Sequence, residues 1–295
     1  MSYKNRGLYR RFVIALWAVG LSLFPWMAQG NELVVADFPS ILHAQSNILT
    51  VWRYADNKNI LIFDSPNLTS QGRMFGRATQ LTEQYNEPYK RVLSTEEITK
   101  YLESIRRTQA DYAFGYDLLV NELVLFFNLA DRDKIELFPE ELQLRDFLIE
   151  QGAIQAWRGF YRAMQPDLVV LAIPQTQEKH DNEPKVSELA RRAIFTHEIA
   201  HGEYYANPYY ANYCRNFWNT VLTEVQKNAF RKFLSNYNYS INMDELMVNE
   251  MQAYLMFTPD PRSFNAEKLG VSEDELESMR DAFRKGKPPT KLPLQ

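Results

Sequence analysis

The sequence has few of the residues that would supply covalent cross-links or a polyanion-binding surface. It contains one cysteine, Cys214, in 295 residues, which excludes an intramolecular disulfide framework and any metal site built on several cysteines. Its 33 Lys and Arg are outnumbered by 37 Asp and Glu, so the net charge is −4. An acidic chain is a poor binder of polyanions, so we expect no nucleic acid partner.

The first 30 residues have no acidic side chain. A basic start is followed by an apolar run over residues 12–23, which is too short for a comfortable membrane span. Ala28 and Gly30 then supply small residues at positions −3 and −1 of a cleavage site. The bases are Lys4, Arg6, Arg10 and Arg11. This order predicts a signal peptide at residues 1–30, with an uncleaved anchor as the alternative.

Removal of that segment takes away four bases and no acid, which leaves a net charge of −8. We therefore expect a bacterial periplasmic or secreted protein with no stable membrane anchor after cleavage. The pair Arg10–Arg11 does not distinguish Sec from twin-arginine export. In an oxidising compartment a single thiol is tolerated when it is buried and unreactive, and this is our expectation for Cys214.

The composition predicts a packed globular chain. Hydrophobic residues make up 45% and aromatic residues 14%, which is enough apolar material to exclude wholesale disorder. No convincing domain boundary is visible. We predict one domain over residues 31–295, with a helical and β N-terminal part (31–165), a catalytic part (166–285) and a frayed tail (286–295).

Helical periodicity dominates the pattern. Residues 48–54 and 60–63 flank a polar turn and predict a hairpin, and residues 168–173, bounded by prolines, predict a short buried strand. Ser94 with Glu97, and Ser272 with Glu275, have the spacing of a capping box. Helices are predicted at 95–107, 117–130, 140–149, 153–164, 186–205, 217–234, 243–257 and 272–285. The pattern therefore predicts a mainly α fold with a small β element, of the α+β class.

Residues 197–201 read His-Glu-Ile-Ala-His on a predicted helix. Positions four apart lie about 40° apart around a helix axis, so His197 and His201 present two imidazoles to one point, as a tetrahedral zinc site requires. Glu198 is rotated by about 100° from His197. It can therefore accept a proton from water that a zinc ion has acidified, without displacing an imidazole. We predict one Zn²⁺ per chain, held in part by these two histidines.

The third ligand determines the class of site. The pattern HExxHxxGxxH would need glycine at position 204 and histidine at position 207, where this sequence has Tyr204 and Asn207. Glu250 follows 49 residues after His201, on an apolar face of the helix predicted at 243–257. A carboxylate on such a face needs a partner, and a metal ion is one. Glu250 is therefore the predicted third ligand, and Glu224 is the fallback.

An HExxH helix followed by a glutamate on a later helix resembles the gluzincin class of zinc metallopeptidases. The resemblance covers residues 197–254, and the strings HEIAHGEYY and NEMQAY also resemble a poorly characterised exported bacterial group. It implies a zincin-like core, ligands His197, His201 and Glu250, Glu198 as general base, and a peptide or protein substrate, with cell-wall peptide as one option. It also implies an edge strand beside the motif helix, for which 168–173 is the candidate.

One position departs from the class. Thermolysin-like members carry an acid four residues after the ligand glutamate, where this sequence has Tyr254. The partner that orients a ligand histidine is therefore unassigned.

Hydrolysis also needs a donor for the developing oxyanion. The candidates are Tyr204, Tyr205 and Tyr254, which lie near the ligands in sequence, and His180, if its polar loop folds over the cleft.

Two other uses of the same residues stay open. Glu198 and His201 also form an ExxH half-motif of di-iron carboxylate proteins, with Glu122 as a further acid, but Ala253 stands where a second ExxH would need histidine. Alternatively, the chain is an exported, non-catalytic protein with a structural or vestigial metal. Three ligands with one open position favour catalysis, because closed structural zinc sites are usually rich in cysteine.

Overall fold

The computed structural model describes residues 33–83 and 91–292, and the predicted signal peptide lies outside them. These residues form a mixed α and β fold in which helices outweigh strands. The strands are Val34–Ala36 (β1), Thr50–Tyr54 (β2), Ile60–Ser65 (β3), Tyr116–Leu119 (β4), Ile154–Trp157 (β5), Phe160–Ala163 (β6) and Val169–Pro174 (β7). The helices are Phe38–His43 (α1), Leu68–Thr82 (α2), Thr95–Ser104 (α3), Val120–Asp133 (α4), Pro139–Glu150 (α5), Glu188–Ala206 (α6), Pro208–Asn216 (α7), Glu224–Ser235 (α8), Asp244–Phe257 (α9), Ala266–Leu269 (α10) and Glu273–Gly286 (α11).

Five strands form one mixed sheet in the order β1-β2-β3-β7-β4. The antiparallel pairing of β2 with β3 confirms the predicted hairpin. Strand β7 runs parallel to β3 and antiparallel to β4, which confirms the predicted buried strand. The prediction that residues 168–173 form the edge strand is wrong, because β7 is hydrogen-bonded on both sides. At this side of the sheet the edge is β4.

Apolar side chains cover both faces of the sheet. Ile60, Ile62 and Leu171 join the cluster that packs under α6 and α9, whereas Leu61 and Val170 join the cluster under α2, α4 and α5. Side chains alternate between the two faces of a strand. In β4 the same alternation sends Tyr116 and Leu118 to the second cluster, which leaves Asp117 on the α6 side. The sheet is therefore a central layer, and α6 lies on one face.

The segment predicted as a helix at 153–164 is a two-stranded hairpin, β5–β6. Its turn, Arg158–Gly159, has φ angles of 49° and 85°, which is the left-handed geometry of a tight hairpin turn and which glycine permits. Trp157 and Phe160 face each other across the strands. The helix prediction was wrong because the apolar residues of this stretch fit both the helical and the strand period. The glycine turn favours the strands.

Three predicted helices have wrong boundaries. The helix predicted at 95–107 ends at Ser104. Residues 117–119 belong to β4, so the helix predicted at 117–130 begins at Val120 as α4. The helix predicted at 217–234 is interrupted: a π-helical turn, Phe217–Val221, ends at Leu222, and α8 starts after Thr223. Thr223 and Gln226 form a capping box, which gives the backbone N–H groups at this start their partners.

The helix starts predicted at Ser94 and Ser272 are confirmed. Ser94 and Glu97 form a complete capping box at α3, and the Ser272 side chain accepts from the Glu275 N–H at α11. Cys214 is buried, as expected, and burial raises the pKa of its thiol to about 12.

The described part of the C-terminal segment is attached to the body of the protein. Lys291 donates to Asp56 at 2.9 Å, and Leu292 is buried. Within residues 33–83 and 91–292, no helix combines the length and apolarity that crossing a bilayer would require.

Candidate metal centre

Three predicted ligands meet at one point between α6 and α9. Nε2 of His197 lies 3.0 Å from Nε2 of His201, and these nitrogens lie 3.7 and 3.8 Å from the two oxygens of Glu250. One helix supplies both imidazoles and the other supplies the carboxylate. The structure therefore brings together, from positions 49 residues apart, the three side chains that the sequence assigns to one ion.

These distances fit a tetrahedral zinc ion. With bonds of about 2.0–2.1 Å, such an ion holds its ligand atoms about 3.3–3.4 Å apart, and the observed separations bracket that value. Oε2 of Glu250 is buried and has no hydrogen-bond partner. A buried acceptor without a partner is costly, and a cation at this point would satisfy it. His197, His201 and Glu250 are thus suited to hold a zinc ion.

Glu198 lies beside this group, on the wall of a cleft. Its carboxylate is only 5% exposed, and Oε2 has no hydrogen-bond partner. Gly115, just before β4, sits against it so closely that a Cβ atom there would lie 2.1 Å from Oε1. A side chain at position 115 would therefore displace the carboxylate, which explains a glycine at this close approach. Glu198 therefore lies at the cleft, beside the metal group, with one carboxylate oxygen free of hydrogen bonds.

The Nδ1 atoms of the two histidines face different partners. Nδ1 of His197 lies 2.7 Å from Oγ1 of Thr258, just after α9. Nδ1 of His201 is buried without a hydrogen-bond partner, and its nearest acid is Asp117 of β4, whose Oδ2 lies 3.8 Å away. Asp117, Glu198 and His201 also form a second group of potential ligand atoms, all within 4.8 Å of one another. That group reuses His201, so it does not define a separate ion site. No hydrogen bond joins Asp117 to this imidazole here, but Asp117 is the acid nearest to Nδ1, and we infer that it orients the ring when a metal ion is bound.

Asparagine at position 117 should weaken zinc binding about 10- to 100-fold, the usual effect of losing a carboxylate that orients a ligand histidine. Competition with a chromophoric zinc chelator measures the affinity. The exposed Asp131 on α4 supplies the control, since Asp131→Asn removes the same charge from a residue that does not line the cleft. Unchanged affinity in Asp117→Asn would show that His201 does not depend on this carboxylate.

The metal group opens into a cleft of about 590 Å³. One wall is the segment leading into β4, with Tyr112, Phe114 and Gly115, and the facing wall is α6. The remaining wall comes from α9, through Tyr254, and from the segments on either side of it, through Tyr239, Thr258 and Arg262. The cleft therefore gives an extended ligand access to Glu198 along the free edge of β4.

The candidate oxyanion donors occupy four different environments. Tyr254 lines the cleft, with its ring centroid 4.7 Å from that of His197. Tyr204 is buried and donates to Glu245 at 2.7 Å, away from the cleft. Tyr205 is half-buried and is not among the lining residues. His180 is on an exposed loop, with 83% of its side chain accessible. Of the four, only Tyr254 reaches the cleft.

The other candidate acids, Glu224 and Glu122, and the nearby Glu245 of α9 have ordinary partners. Glu224 is exposed and pairs with Lys227 at 2.8 Å, so the fallback ligand does not reach the metal group. Glu245 binds Arg215. Glu122 accepts from the Leu119 N–H at 2.8 Å at the start of α4, which is the role of an acid at a helix N-terminus.

The electrostatics of the site reflect crowded, buried acids. Burial raises the pKa of Glu198 well above its ordinary value, and Asp117 and Glu250 add to the effect. Burial raises the pKa of Glu250 to about 7, whereas His201 lowers it. Burial and then His201 lower the pKa of His197, which favours the neutral ring that binds metals. A divalent cation among these groups would favour the charged form of the carboxylates and so lower their pKa values.

Four residues of the site were missed in the sequence: Gly115, Asp117, Thr258 and Tyr239. Asp117 had a usable signal, because it is the one acid in the apolar stretch 116–120. The other three had none, since they enter the site from loops whose path depends on the tertiary fold. Comparison with protein-family models, curated proteins and solved structures gives no match to this chain.

Proposed function

We propose that this protein is a zinc-dependent hydrolase that cleaves peptide bonds, with a zincin-like core. The observation that carries the proposal is the convergence of His197, His201 and Glu250 beside the unpartnered carboxylate of Glu198 at a cleft. The signal-like residues 1–30 support the further proposal that it acts outside the cytoplasm.

Each part of the site has a task in this proposal. A zinc ion held by the three ligands would acidify the attacking water and polarise the substrate carbonyl. Glu198 accepts the proton of that water on its free oxygen and passes it to the leaving amine. Thr258 contacts the far nitrogen of the His197 imidazole, and Asp117 would orient that of His201 when the ion is bound. Five tyrosines line the cleft, namely Tyr112, Tyr116, Tyr237, Tyr239 and Tyr254. Of these, Tyr254, whose ring centroid lies 4.7 Å from that of His197, and Tyr239 are the proposed side-chain donors to the developing oxyanion.

Strand β4 supports a peptide as the substrate. It is the edge of the sheet, and the lining of the cleft follows residues 111–117 without interruption. An edge strand offers unpaired backbone groups that an extended peptide can add to. The ladder would place the scissile bond near Gly115, where Glu198 lies.

Two other functions are compatible with the same geometry, and measurements of metal content and turnover distinguish them from a zinc hydrolase. A di-iron protein would contain two irons and a visible chromophore, whereas the two potential ligand groups here share His201. A protein with a structural metal would bind the ion but would not hydrolyse a substrate. Peptide hydrolysis that depends on one zinc ion per chain excludes both.

The proposal is tested by zinc content and turnover in Glu250→Gln. The amide keeps the side-chain shape but removes a charged ligand, so we expect zinc affinity to fall at least about 10-fold. Hydrolysis of a fluorogenic peptide library should fall in parallel and be restored by excess zinc. The control is Glu224→Gln on exposed α8. A Glu250→Gln chain that binds zinc with unchanged affinity would remove this residue from the ligand set.

A further inference from the structure

Away from the cleft, the protein neutralises its buried carboxylates with buried arginines. Asp64 lies against Arg191 at 2.7 Å. Glu141 likewise pairs with Arg77. The side chains of all four residues are at most 1% exposed. A buried charge without such a partner is strongly destabilising. In this fold, the two buried acids with only a structural role are therefore each paired with an arginine.

Three acids of the cleft, Glu83, Asp117 and Glu198, lack such partners. Asp117 and Glu198 are 8% and 5% exposed, and each contributes an oxygen to a group whose atoms lie within 4.8 Å of one another. Glu83 lines the same cleft. Within the described residues, no Lys or Arg forms an ion pair with any of the three; the nearest basic group to Asp117 is His201. Oε2 of Glu198, buried and facing the cleft, has no hydrogen-bond partner at all.

The basic residues of the cleft do not supply the missing charge. Lys185 pairs with Glu178 at 2.8 Å and is half-exposed. Arg262 pairs with Asp260 at 2.6 Å and is 66% exposed. Arg107 also lines the cleft, and it is exposed. Four carboxyl groups, those of Glu83, Asp117, Glu198 and Glu250, lie in or beside the cleft, and among the described residues no Lys or Arg pairs with them. A zinc ion held by His197, His201 and Glu250 would leave the other three as acceptors for a further cation.

The spacing suits a nitrogen cation. Two oxygens no more than 4.8 Å apart can both accept from one nitrogen at about 2.8 Å from each, because twice that distance exceeds their separation. We propose that Asp117 and Glu198, with Glu83 of the same cleft, bind a substrate ammonium group next to the bond that is cleaved. This inference rests on the proposed function and names its substrate class: peptides with an ammonium group at the cleavage site.

The direction of β4 indicates which end of the peptide carries that group. A peptide paired antiparallel with β4 runs opposite to the course from Gly115 to Leu119, so its amino end points toward Leu119. Asp117 is two residues beyond Gly115, the contact of Glu198. A free α-ammonium group, two bonds from the scissile carbonyl, fits this position. A lysine side chain is the other source of the same chemistry.

The test compares free and blocked amines on the zinc-loaded full-length chain. Leucine aminomethylcoumarin and its N-acetyl form report turnover, and calorimetry with leucinamide and N-acetylleucinamide reports binding separately. We expect acetylation to lower kcat/KM and affinity about 10- to 100-fold, the value of a hydrogen bond to a charged group. Glu83→Gln, and Asp117→Asn at saturating zinc, should reduce this discrimination, whereas the exposed control Glu188→Gln should not.

The outcomes separate the inference from the proposed function. Equal turnover of free and acetylated substrates would overturn the ammonium site and leave the zinc hydrolase in place. Selective binding of leucinamide without hydrolysis of any substrate would support the site and count against hydrolysis. Cleavage of doubly blocked peptides after lysine, but not after norleucine, would assign the site to a side chain. A second zinc ion that is lost in Asp117→Asn, with no binding of leucinamide, would show that the extra cation is a metal.

Discussion

Glu198→Gln should lower peptide hydrolysis by about 10²- to 10⁴-fold, the usual contribution of a general base, and should leave one zinc ion per chain. The amide fills the same space against Gly115 but cannot accept the proton of the attacking water. Because Glu198 is not one of the ligand atoms of the metal group, zinc affinity should change little. Single-turnover assays and metal analysis of the same sample measure both quantities.

The same variant has an expected effect on stability. A buried carboxylate without a partner opposes folding, and burial raises the pKa of Glu198 because the charged form is disfavoured there. Glu198→Gln should therefore unfold at a temperature no lower than the parent chain when zinc is removed. Glu188→Gln, at the exposed start of the same helix, is the control and should keep full turnover. Retained activity in Glu198→Gln would show that another acid of the cleft is the general base.

The metal ligands could be predicted from the sequence because helical spacing fixes them locally. His197 and His201 share a helix, and the period of 3.6 residues places both rings on one side before any tertiary contact forms. Glu250 could be found because it is a charged residue on an apolar helix face, a combination that requires a partner. Such features are visible without knowledge of neighbouring elements.

The edge strand could not be found in the same way. The apolar run that contains Asp117 reads as a helix because its residues suit both a buried helix and a buried strand, and only the pairing of β4 with β7 settles the choice. That pairing brings together residues 50 to 56 positions apart. The position of Asp117 behind His201, and the cleft along β4, follow from this non-local contact. The missed hairpin β5–β6 has a local cause instead, the left-handed turn at Arg158–Gly159.

Arg191→Met should lower the free energy of unfolding by about 3–5 kcal/mol, the usual cost of leaving one member of a buried ion pair alone. Its guanidinium donates to both oxygens of Asp64 at 2.7 and 2.9 Å, and also to the main-chain carbonyls of Ile41, Leu42 and Pro174. One side chain of α6 thereby satisfies groups of β3, β7 and the end of α1. Urea denaturation of the purified variant measures the change.

The exposed neighbour Arg192 provides a matched control, since Arg192→Met alters the same helix and the same charge but should shift stability by less than about 0.5 kcal/mol. Adding Asp64→Asn to Arg191→Met should recover part of the loss, because the uncompensated buried charge is then removed. Failure of the second substitution to recover any stability would assign the loss to the three carbonyls instead. The same helix, α6, carries His197, Glu198 and His201. If Arg191→Met folds but shifts α6, its zinc affinity should fall. That result would show that the Arg191–Asp64 pair holds α6 against the sheet.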